Sequence, residues 1–508
     1  MRKRILPMVL SAILMTAAVG GLTGCGNPSP SGEEGQKTSG ESAEEPYTVT
    51  MVMTGTQQPD EERIEEKINE ILMPELNMKL DLMVLPWGSS IQQIQLMLSG
   101  DEKIDFFYTD AQHALQYMNN GQIVDMTELV DKYGNNLKQI FGEEVLRNMS
   151  AGGFTFGVPC HCENVSYPAI FMRKDLVEKY NIDTAGIRSV EDLDEVFATV
   201  QAGEPDMDML FSNGSTNGPM YRLGLSQFDK IGSFYGVIMN PAEGNTKVED
   251  LFASDWFMDT AKLLYGWYQK GYINKDAATE NESWNSLMKA GKVFSMITGE
   301  HPAIMPELES STGYEYVSVR LVDVGVKMSN YYSDIIFSIA QNSEDPEKAM
   351  QCLDYIYGNA DIMNLLNWGE EGIDYVFIDE EKGLIAYPEG VNIENVGYSL
   401  NLWWEIPNGR IIHLWEGSDP KVNDLMEESN KQGVPSVAMG FVFDATGLDT
   451  QIAALDNVYN KYVPSIISGT VDPESYIPKL IEDMEAAGQN NIIEAKQEQF
   501  DAWLEGKE

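Results

Sequence analysis

The feature that most constrains the fold is an alternation of strand-like and helix-like segments over residues 47–108. Residues 47–53 are β-branched and apolar, which favours a strand. Isoleucine and leucine then recur with the spacing of one helix face over residues 64–72, and Pro74 is expected to end that helix. Strands are predicted at 78–85 and 104–108, with a helix between them at 89–98. This order predicts a parallel sheet covered by helices.

Ligands of such sheets bind beyond the carboxyl ends of the strands. The predicted strands therefore place residues 54–57, 86–87 and 108–110 on one rim of the sheet. Asp110 is also expected to begin the next helix, because aspartate accepts hydrogen bonds from the first free amides of a helix.

The N-terminal segment resembles an export signal. Three basic residues lie at positions 2–4, an apolar run follows over 5–22, and the run ends in Leu22-Thr23-Gly24-Cys25. The ending resembles a bacterial lipobox, in which Cys25 becomes the lipidated first residue; an ordinary signal or a short membrane helix is the alternative. Residues 1–24 are thus predicted to be a signal peptide. Residues 25–46 are predicted to be a lipidated, flexible tether, because their composition is too polar to fold.

The size and charge of the chain exclude several classes of function. The part that follows the predicted signal is too long for one hydrophobic core, which indicates at least two domains. No second apolar run is long enough to span a bilayer. The formal net charge is −46, so nucleic acid is excluded as a partner, because phosphate binding needs clustered lysine and arginine.

No catalytic or metal-binding motif is evident. The four histidines form no HExxH, and nucleophile-elbow, phosphate-loop and dinucleotide motifs are absent from the sequence. Cys160-His161-Cys162 lacks the second ligand pair of a structural zinc site. With Cys25 lipidated, three cysteines remain, too few for a disulfide framework. We therefore expect no cofactor, no metal and no catalytic residue, although 80 acidic residues leave the carboxylate pair of a glycosidase open.

Several tryptophans lie beside loop residues rather than within helical stripes. They include Trp87, Trp368 and the pair Trp403-Trp404. Sugars present apolar C–H faces together with many hydroxyls, so their sites combine flat aromatic rings with hydrogen-bonding side chains. Core packing is the alternative for each single aromatic residue.

A series of short motifs resembles one bacterial family in its order along the chain. The motifs are 105-DFFYTD-110, 121-GQIVDMTEL-129, 131-DKYG-134, 288-MKAGKV-293, 368-WGEEGIDY-375, 440-GFVFD-444 and 469-GTVDP-473. Together they resemble the family 1 extracellular solute-binding proteins of bacterial ABC importers. The closest resemblance is to the LipO-type lipoproteins of Gram-positive bacteria, including the uncharacterised C-terminal domain of that branch.

This resemblance implies an α/β fold of two lobes, the type II periplasmic-binding-protein-like arrangement, joined by a hinge of crossing strands. Lobe 1 is expected to comprise 47–162 plus about 330–375. Lobe 2 is expected to comprise 163–329 plus about 376–508, with a helical region at 440–508. The first crossing matches Val158-Pro159 and Glu163, and the second lies near 317–332. Cys160-His161-Cys162 departs from the family pattern at the hinge.

The resemblance also implies a function. The chain is expected to be a lipid-anchored, monomeric protein on the outer face of the cytoplasmic membrane. There it is expected to capture a carbohydrate, by family analogy an oligosaccharide, and to deliver it to an ABC permease without catalysis. The residues expected to contact the ligand are Gln57, Trp87, Tyr108, Asp110, Glu163, Trp368, Glu371 and Trp403. The alternatives are a surface glycosidase, a sensor, or a binder of a peptide or an acidic glycan; an arginine facing the cleft would favour the acidic glycan, with Arg320 and Arg410 as candidates.

Overall fold

The computed structural model describes residues 45–86, 89–100, 102–162, 165–280, 282 and 284–506. The predicted signal peptide, Cys25 and the predicted site residues Trp87 and Glu163 lie outside the described residues. Within the described part, no helix combines the length and the apolar character needed to cross a membrane.

Nineteen strands occur in the described residues. In chain order they are β1 (Tyr47–Thr54), β2 (Met78–Leu85), β3 (Phe106–Thr109), β4 (Ser150–Ala151), β5 (Phe154–Thr155), β6 (Val158–Pro159), β7 (Tyr167–Arg173), β8 (Asp208–Leu210), β9 (Phe228–Asp229), β10 (Val237–Met239), β11 (Val248–Glu249), β12 (Val293–Glu300), β13 (Tyr316–Arg320), β14 (Val326–Lys327), β15 (Ile336–Ile339), β16 (Val376–Asp379), β17 (Leu384–Ala386), β18 (Leu414–Trp415) and β19 (Val434–Pro435).

Seventeen α-helices occur in the same residues. They are α1 (Glu61–Leu76), α2 (Ser90–Ser99), α3 (Ala111–Asn119), α4 (Thr127–Tyr133), α5 (Asn135–Asn148), α6 (Lys174–Lys179), α7 (Leu193–Gln201), α8 (Pro219–Leu223), α9 (Asp255–Gln269), α10 (Trp284–Lys289), α11 (Ile304–Thr312), α12 (Pro346–Gly358), α13 (Ala360–Trp368), α14 (Val422–Gln432), α15 (Asp449–Ile467), α16 (Pro473–Ala486) and α17 (Gln489–Glu505).

The first sheet has five strands in the order β2-β1-β3-β15-β6. β1 pairs in parallel with β2 and β3, as predicted, whereas β15 returns from far along the chain and pairs antiparallel with β3 and β6. Alternate residues of β1 enter different cores, because successive side chains of a strand point to opposite faces. Met51 and Met53 pack under α1, α12 and α13, whereas Val52 packs under α2 and α3. The sheet is therefore covered by helices on both faces.

The second sheet has four strands in the order β13-β7-β12-β8. β7 is buried along its whole length and pairs antiparallel with β12 and β13. Ile170 and Met172 enter the larger core of this half, and Phe171 enters a smaller core beside α10 and α11.

The chain passes between the two sheets at the predicted places. The first crossing lies between β6 and β7, and the second lies between β13 and β15. A third segment joins them, since β19 pairs in parallel with β14 inside the second crossing. Val165, Tyr167 and Tyr331 form a small core between these crossing segments.

One expected domain boundary is wrong. Residues after about 376 were expected in lobe 2, but Tyr398, Leu400, Leu402 and Ile406 belong to the core of the first sheet, under α1 and α13. The chain returns to lobe 2 only after β19, where Ala438 and Phe441 enter the larger core of the second sheet.

The start of α3 agrees with the prediction from local sequence, whereas the end of α1 does not. The side chain of Asp110 accepts a hydrogen bond from the amide of His113 at the start of α3, as predicted. Pro74, expected to stop α1, lies inside it; the helix runs to Leu76, and Asn77 ends it in the left-handed conformation. A proline in the last turn is tolerated when packing holds the helix, here through the buried Ile64, Ile68 and Leu72.

Candidate functional site

Tyr108 lies at the carboxyl end of β3, where two cavities meet. A cavity of about 150 Å³, the strand-end cavity, lies between Tyr108 and α2. A second cavity of about 280 Å³, the cleft cavity, has Tyr108 and Asp110 on one side and Lys230 and Phe443 of the other half on the opposite side. Burial, followed by nearby acidic groups, holds the pKa of Tyr108 well above its usual range, so its hydroxyl keeps its proton.

Asp110 is fixed by the helix that it begins. Its Oδ1 accepts from the amide of His113 at 3.0 Å, and its Oδ2 lies 2.6 Å from Nδ1 of the same histidine. Burial would raise the pKa of Asp110, but these hydrogen bonds outweigh it and lower the pKa, and the same bond raises the pKa of His113. The structure thus presents a rigid, ionised acceptor at the rim of the first sheet.

A third cavity, the hinge cavity, continues from the cleft cavity and has a volume of about 290 Å³. Asn330, Asp334, Ile335 and Trp404 line both cavities. Its walls come from the two crossing segments and from α8, so it lies between the sheets. A solute in these adjoining cavities would touch both halves of the protein and the strands that connect them.

Glu405 holds the tryptophan pair Trp403-Trp404 against the first sheet. It is fully buried, and its Oε1 accepts from the amide of Thr54, the last residue of β1, at 2.7 Å. Its Oε2 has no hydrogen-bond partner among the described residues. Burial raises the pKa of Glu405 to about 8, so the carboxyl group is mostly protonated at neutral pH.

The two neighbouring tryptophans face different cavities. Trp404 lines the cleft and hinge cavities, whereas Trp403 lines a fourth cavity of about 280 Å³, the aromatic cavity. Trp403 forms a hydrogen bond with the side chain of Glu307 in α11, and its ring lies 5.6 Å from that of His301. Trp403 therefore connects the segment packed on the first sheet with the second half of the protein.

The position of Trp403 depends on a glycine. A Cβ atom on Gly409 would lie only 1.9 Å from the carbonyl oxygen of Trp403. Only glycine therefore allows residues 403 and 409 to approach this closely.

Arg222 at the end of α8 is the cationic side chain of the hinge cavity. Its Nη2 donates to Oδ1 of Asn217 at 2.7 Å, and its Nε has no partner among the described residues. Burial lowers its pKa, and no carboxylate among the described residues forms an ion pair with the guanidinium. Asp334 lines the same cavity, and its Oδ1 accepts from the side-chain Nδ2 of Asn330 at 2.6 Å. The cavity thus offers strong donors and an acceptor together.

Two buried charged residues set the shape of the second side of the cleft. Asp229 accepts from the amide and the hydroxyl of Ser329 at 2.6 Å each, and from the hydroxyl of Ser436 at 2.7 Å. Lys496 of α17 is fully buried and donates to the carbonyls of Lys230, Ser233 and Gly236 at 2.8–3.1 Å. The loop at 230–236, which lines the cleft cavity, is therefore held by the last helix.

The structure brings together some of the residues predicted as ligand contacts. Tyr108 and Asp110 line the cleft cavity, and Trp368 and Trp403 line the aromatic cavity. Gln57 and Glu371 are exposed and are not among the residues lining these cavities. The two groups lie in separate cavities on either side of the pair Trp403-Trp404.

Neither arginine considered for an acidic ligand is available for one. Arg320 is exposed and forms an ion pair with Glu300. Arg410 donates to the backbone carbonyls of Asn423 and Cys162. Arg222, which lines the hinge cavity, has the position expected of an arginine that faces the cleft. It was missed because its place in α8 gives no sequence signal of cleft exposure.

The unusual Cys160-His161-Cys162 motif takes part in hinge packing. Cys160 Sγ–H donates to the carbonyl of Glu405 at 3.2 Å, and His161 Nδ1 lies 3.0 Å from Oδ1 of Asn408. Both cysteines are buried and neither forms a disulfide bond within the described residues, where no cluster of His, Cys, Asp or Glu could hold a metal ion. Burial raises the pKa of the Cys160 thiol well above its usual range.

Comparison with known proteins defines the class. The bacterial extracellular solute-binding protein family matches residues 66–363, and a domain of unknown function, DUF3502, matches residues 437–505. Because the first match covers more than half of the chain, this protein belongs to the bacterial extracellular solute-binding protein family.

Individual relatives extend over nearly the whole chain. A protein described as a carbohydrate ABC transporter substrate-binding protein, from Streptococcus pneumoniae serotype 4, is 24% identical over 496 residues, 97% of each chain. The N-glycan transport solute binding protein NgtS from S. pneumoniae, in complex with Man1GlcNAc, is 23% identical with a TM-score of 0.76, over 90% of this chain and 99% of that one. Its complex with Man5GlcNAc has a TM-score of 0.74 at 23% identity, over 91% and 99%. The predicted two-lobed solute-binding fold is thereby confirmed.

Proposed function

We propose that this protein captures an oligosaccharide as the substrate-binding component of an ABC importer, without chemical turnover. The observation that carries the proposal is the pair of adjoining cavities between the sheets, lined by Trp404 and Tyr108 and by polar groups of both signs. The carbohydrate-binding relative that spans 97% of the chain supports the same class of solute.

The side chains of the hinge cavity suit sugar hydroxyls. Arg222 offers donors, Asp334 offers an acceptor, and Trp404 offers an aromatic ring. A sugar ring needs all three, because adjacent hydroxyls both donate and accept while the ring C–H groups pack on an aromatic face. A strongly anionic ligand would meet Asp334 as well as Arg222, so a neutral glycan fits this cavity better.

Closure of the lobes would couple binding to transport. A ligand shifts a conformational equilibrium only by the difference between its affinities for the two states. Tyr108 and Asp110 belong to the first half and Arg222 and Lys230 to the second, so a sugar touching all of them stabilises the closed arrangement. The closed, loaded protein then delivers its cargo to the membrane permease. Lipidation of Cys25 and a monomeric state belong to the same proposal.

The test is thermal unfolding of residues 45–508 against glycans, followed by calorimetry. The panel contains two-unit and longer members of each class: Man1GlcNAc and Man5GlcNAc, maltose and maltopentaose, cellobiose and cellopentaose. A ligand at 100 times its dissociation constant adds about 2.7 kcal/mol to the free energy of unfolding, which raises the melting temperature measurably.

Control variants and product analysis separate the alternatives. Trp404→Ala should remove the thermal shift, whereas Trp284→Ala, in the second half near α11, should retain it. Recovery of intact glycan after incubation supports a binder, whereas shortened glycan establishes a glycosidase. No shift with any glycan, together with a shift by a peptide mixture, would overturn the carbohydrate assignment.

A further inference from the structure

The aromatic cavity has no lining residue in common with the hinge and cleft cavities, but two consecutive residues line the cavities. Trp403 lines the first and Trp404 lines the other two. The Cα atoms of consecutive residues are about 3.8 Å apart. The two tryptophans therefore form a partition with a cavity on each side, and one glycan of sufficient length would reach both sides.

The walls of the aromatic cavity come from both halves of the protein. Trp368, Tyr387 and Trp415 form one side, and Pro306 and Glu307 of α11 form the opposite side. The Trp368 and Trp415 rings lie 5.3 Å apart at 30°, and the Tyr387 and Trp415 rings lie 4.5 Å apart at 66°. These three rings form an ordered aromatic surface rather than scattered side chains.

The indole N–H groups of Trp368 and Trp403 already form hydrogen bonds within the protein. The indole N–H of Trp368 donates to the carbonyl of His413 at 3.0 Å, and that of Trp403 is bound by Glu307. Trp415 differs, since it is half-buried and its indole N–H makes no hydrogen bond within the described chain. A half-buried indole with a free donor suits a ligand that has both an apolar face and an oxygen acceptor.

Polar side chains at the edge of the cavity complete this pattern. Asn401 and Glu416 line it and are exposed. An amide and a carboxylate beside an aromatic surface supply donor and acceptor groups for sugar hydroxyls.

We propose that the aromatic cavity is a second sugar subsite, in which Trp415 stacks on a distal ring of an oligosaccharide whose proximal end lies in the hinge cavity. The subsite rests on the proposed function and adds to it a preference for longer glycans, with Trp415 as the residue that confers this preference. A lipid or an apolar peptide side chain in the cavity is the competing outcome.

The test compares the binding of short and long glycans to the wild-type protein and to variants of Trp415. Each pair of the panel, Man1GlcNAc with Man5GlcNAc, maltose with maltopentaose, and cellobiose with cellopentaose, is titrated into the wild-type protein and Trp415→Ala. In the glycan class that binds, the longer member should bind the wild-type protein about tenfold more tightly than the two-unit member. Trp415→Ala should remove this advantage and leave the two-unit affinity unchanged, and Trp415→Phe should restore most of it.

Each other outcome has its own meaning. Equal losses for short and long members in Trp415→Ala would overturn the second subsite and assign Trp415 to folding or to the proximal ring. Unchanged affinity for both members would also overturn it. Trp284→Ala should retain the length dependence, which controls for the removal of a partly buried indole. No binding of any pair to the wild-type protein contradicts the proposed function itself.

Discussion

The amide of Thr54 donates to Oε1 of Glu405 at 2.7 Å, across 351 residues of sequence. Thr54 is the last residue of β1 in the first sheet, and Glu405 directly follows the pair Trp403-Trp404. One hydrogen bond therefore fixes the aromatic partition at the carboxyl end of a strand, the place where ligands of such sheets bind.

Replacing Glu405 by glutamine should flatten part of the dependence of stability on pH. Burial raises the pKa of Glu405 from 4.5 to about 8, so the folded protein holds a proton that the unfolded chain releases in this window. The free energy of unfolding of the wild-type protein should therefore fall as the pH rises from about 5 to 8, on the order of 1 kcal/mol per pH unit at most. Urea denaturation across this range measures the slope.

Glu405→Gln keeps the acceptor for Thr54 and cannot ionise, so its slope should be smaller. Glu307, whose pKa burial also raises to about 8, contributes to the slope that remains, and the double variant with Glu307→Gln should be flatter still. Identical slopes in the wild-type protein and Glu405→Gln would contradict a protonated Glu405.

Replacing Arg222 by glutamine should weaken glycan binding by about 10- to 100-fold, because hydrogen bonds from a charged donor contribute more than neutral ones. Calorimetric titration with the glycan that gives the largest thermal shift measures the dissociation constant. Arg320→Gln is the matched control, since Arg320 is exposed and paired with Glu300. Equal affinities in Arg222→Gln and Arg320→Gln would remove Arg222 from the site.

Replacing Lys496 by methionine should reduce the free energy of unfolding by about 3 kcal/mol, because three carbonyls, among them the buried one of Gly236, would lose their donor. Chemical denaturation measures this loss, and Lys479→Met, an exposed site on α16, is the control. Since the same carbonyls belong to the loop at 230–236, Lys496→Met should also weaken glycan binding. A variant as stable as Lys479→Met would show that the loop is held by packing alone.

Replacing Gly409 by alanine should move Trp403, because the added Cβ cannot lie 1.9 Å from its carbonyl oxygen. We expect a lower melting temperature and weaker binding of the longer glycans. Gly266→Ala, where a Cβ would meet nothing within 4 Å, is the control. An unchanged melting temperature in Gly409→Ala would mean that the segment can relax without cost.

Elements set by local sequence could be predicted. The alternation in residues 47–109 indicated the parallel strands β1, β2 and β3. Asp110 was recognised as a helix start because capping depends on neighbouring residues alone. The crossings, expected at Val158-Pro159 with Glu163 and near 317–332, were predicted through the family resemblance rather than through periodicity.

Long-range pairings could not be predicted in the same way. The return of residues 398–406 to the first sheet depends on Tyr398 and Leu402 finding a core formed hundreds of residues earlier. Glu405 looked like one of many acidic residues, and only its complete burial distinguishes it. Arg222 likewise gains importance from its burial beside the hinge cavity, which is a property of the fold and not of the neighbouring sequence.

The larger core of the second sheet is built from segments far apart in the chain, and this has a consequence for synthesis. Phe197 and Trp267 share that core with Leu480 and Phe500, so its apolar surface stays open until the last helix has been made. A chain truncated before α15 would expose this surface and become a target for aggregation and proteases. We therefore expect nonsense mutations even late in the gene to eliminate the protein rather than to leave a shortened binder.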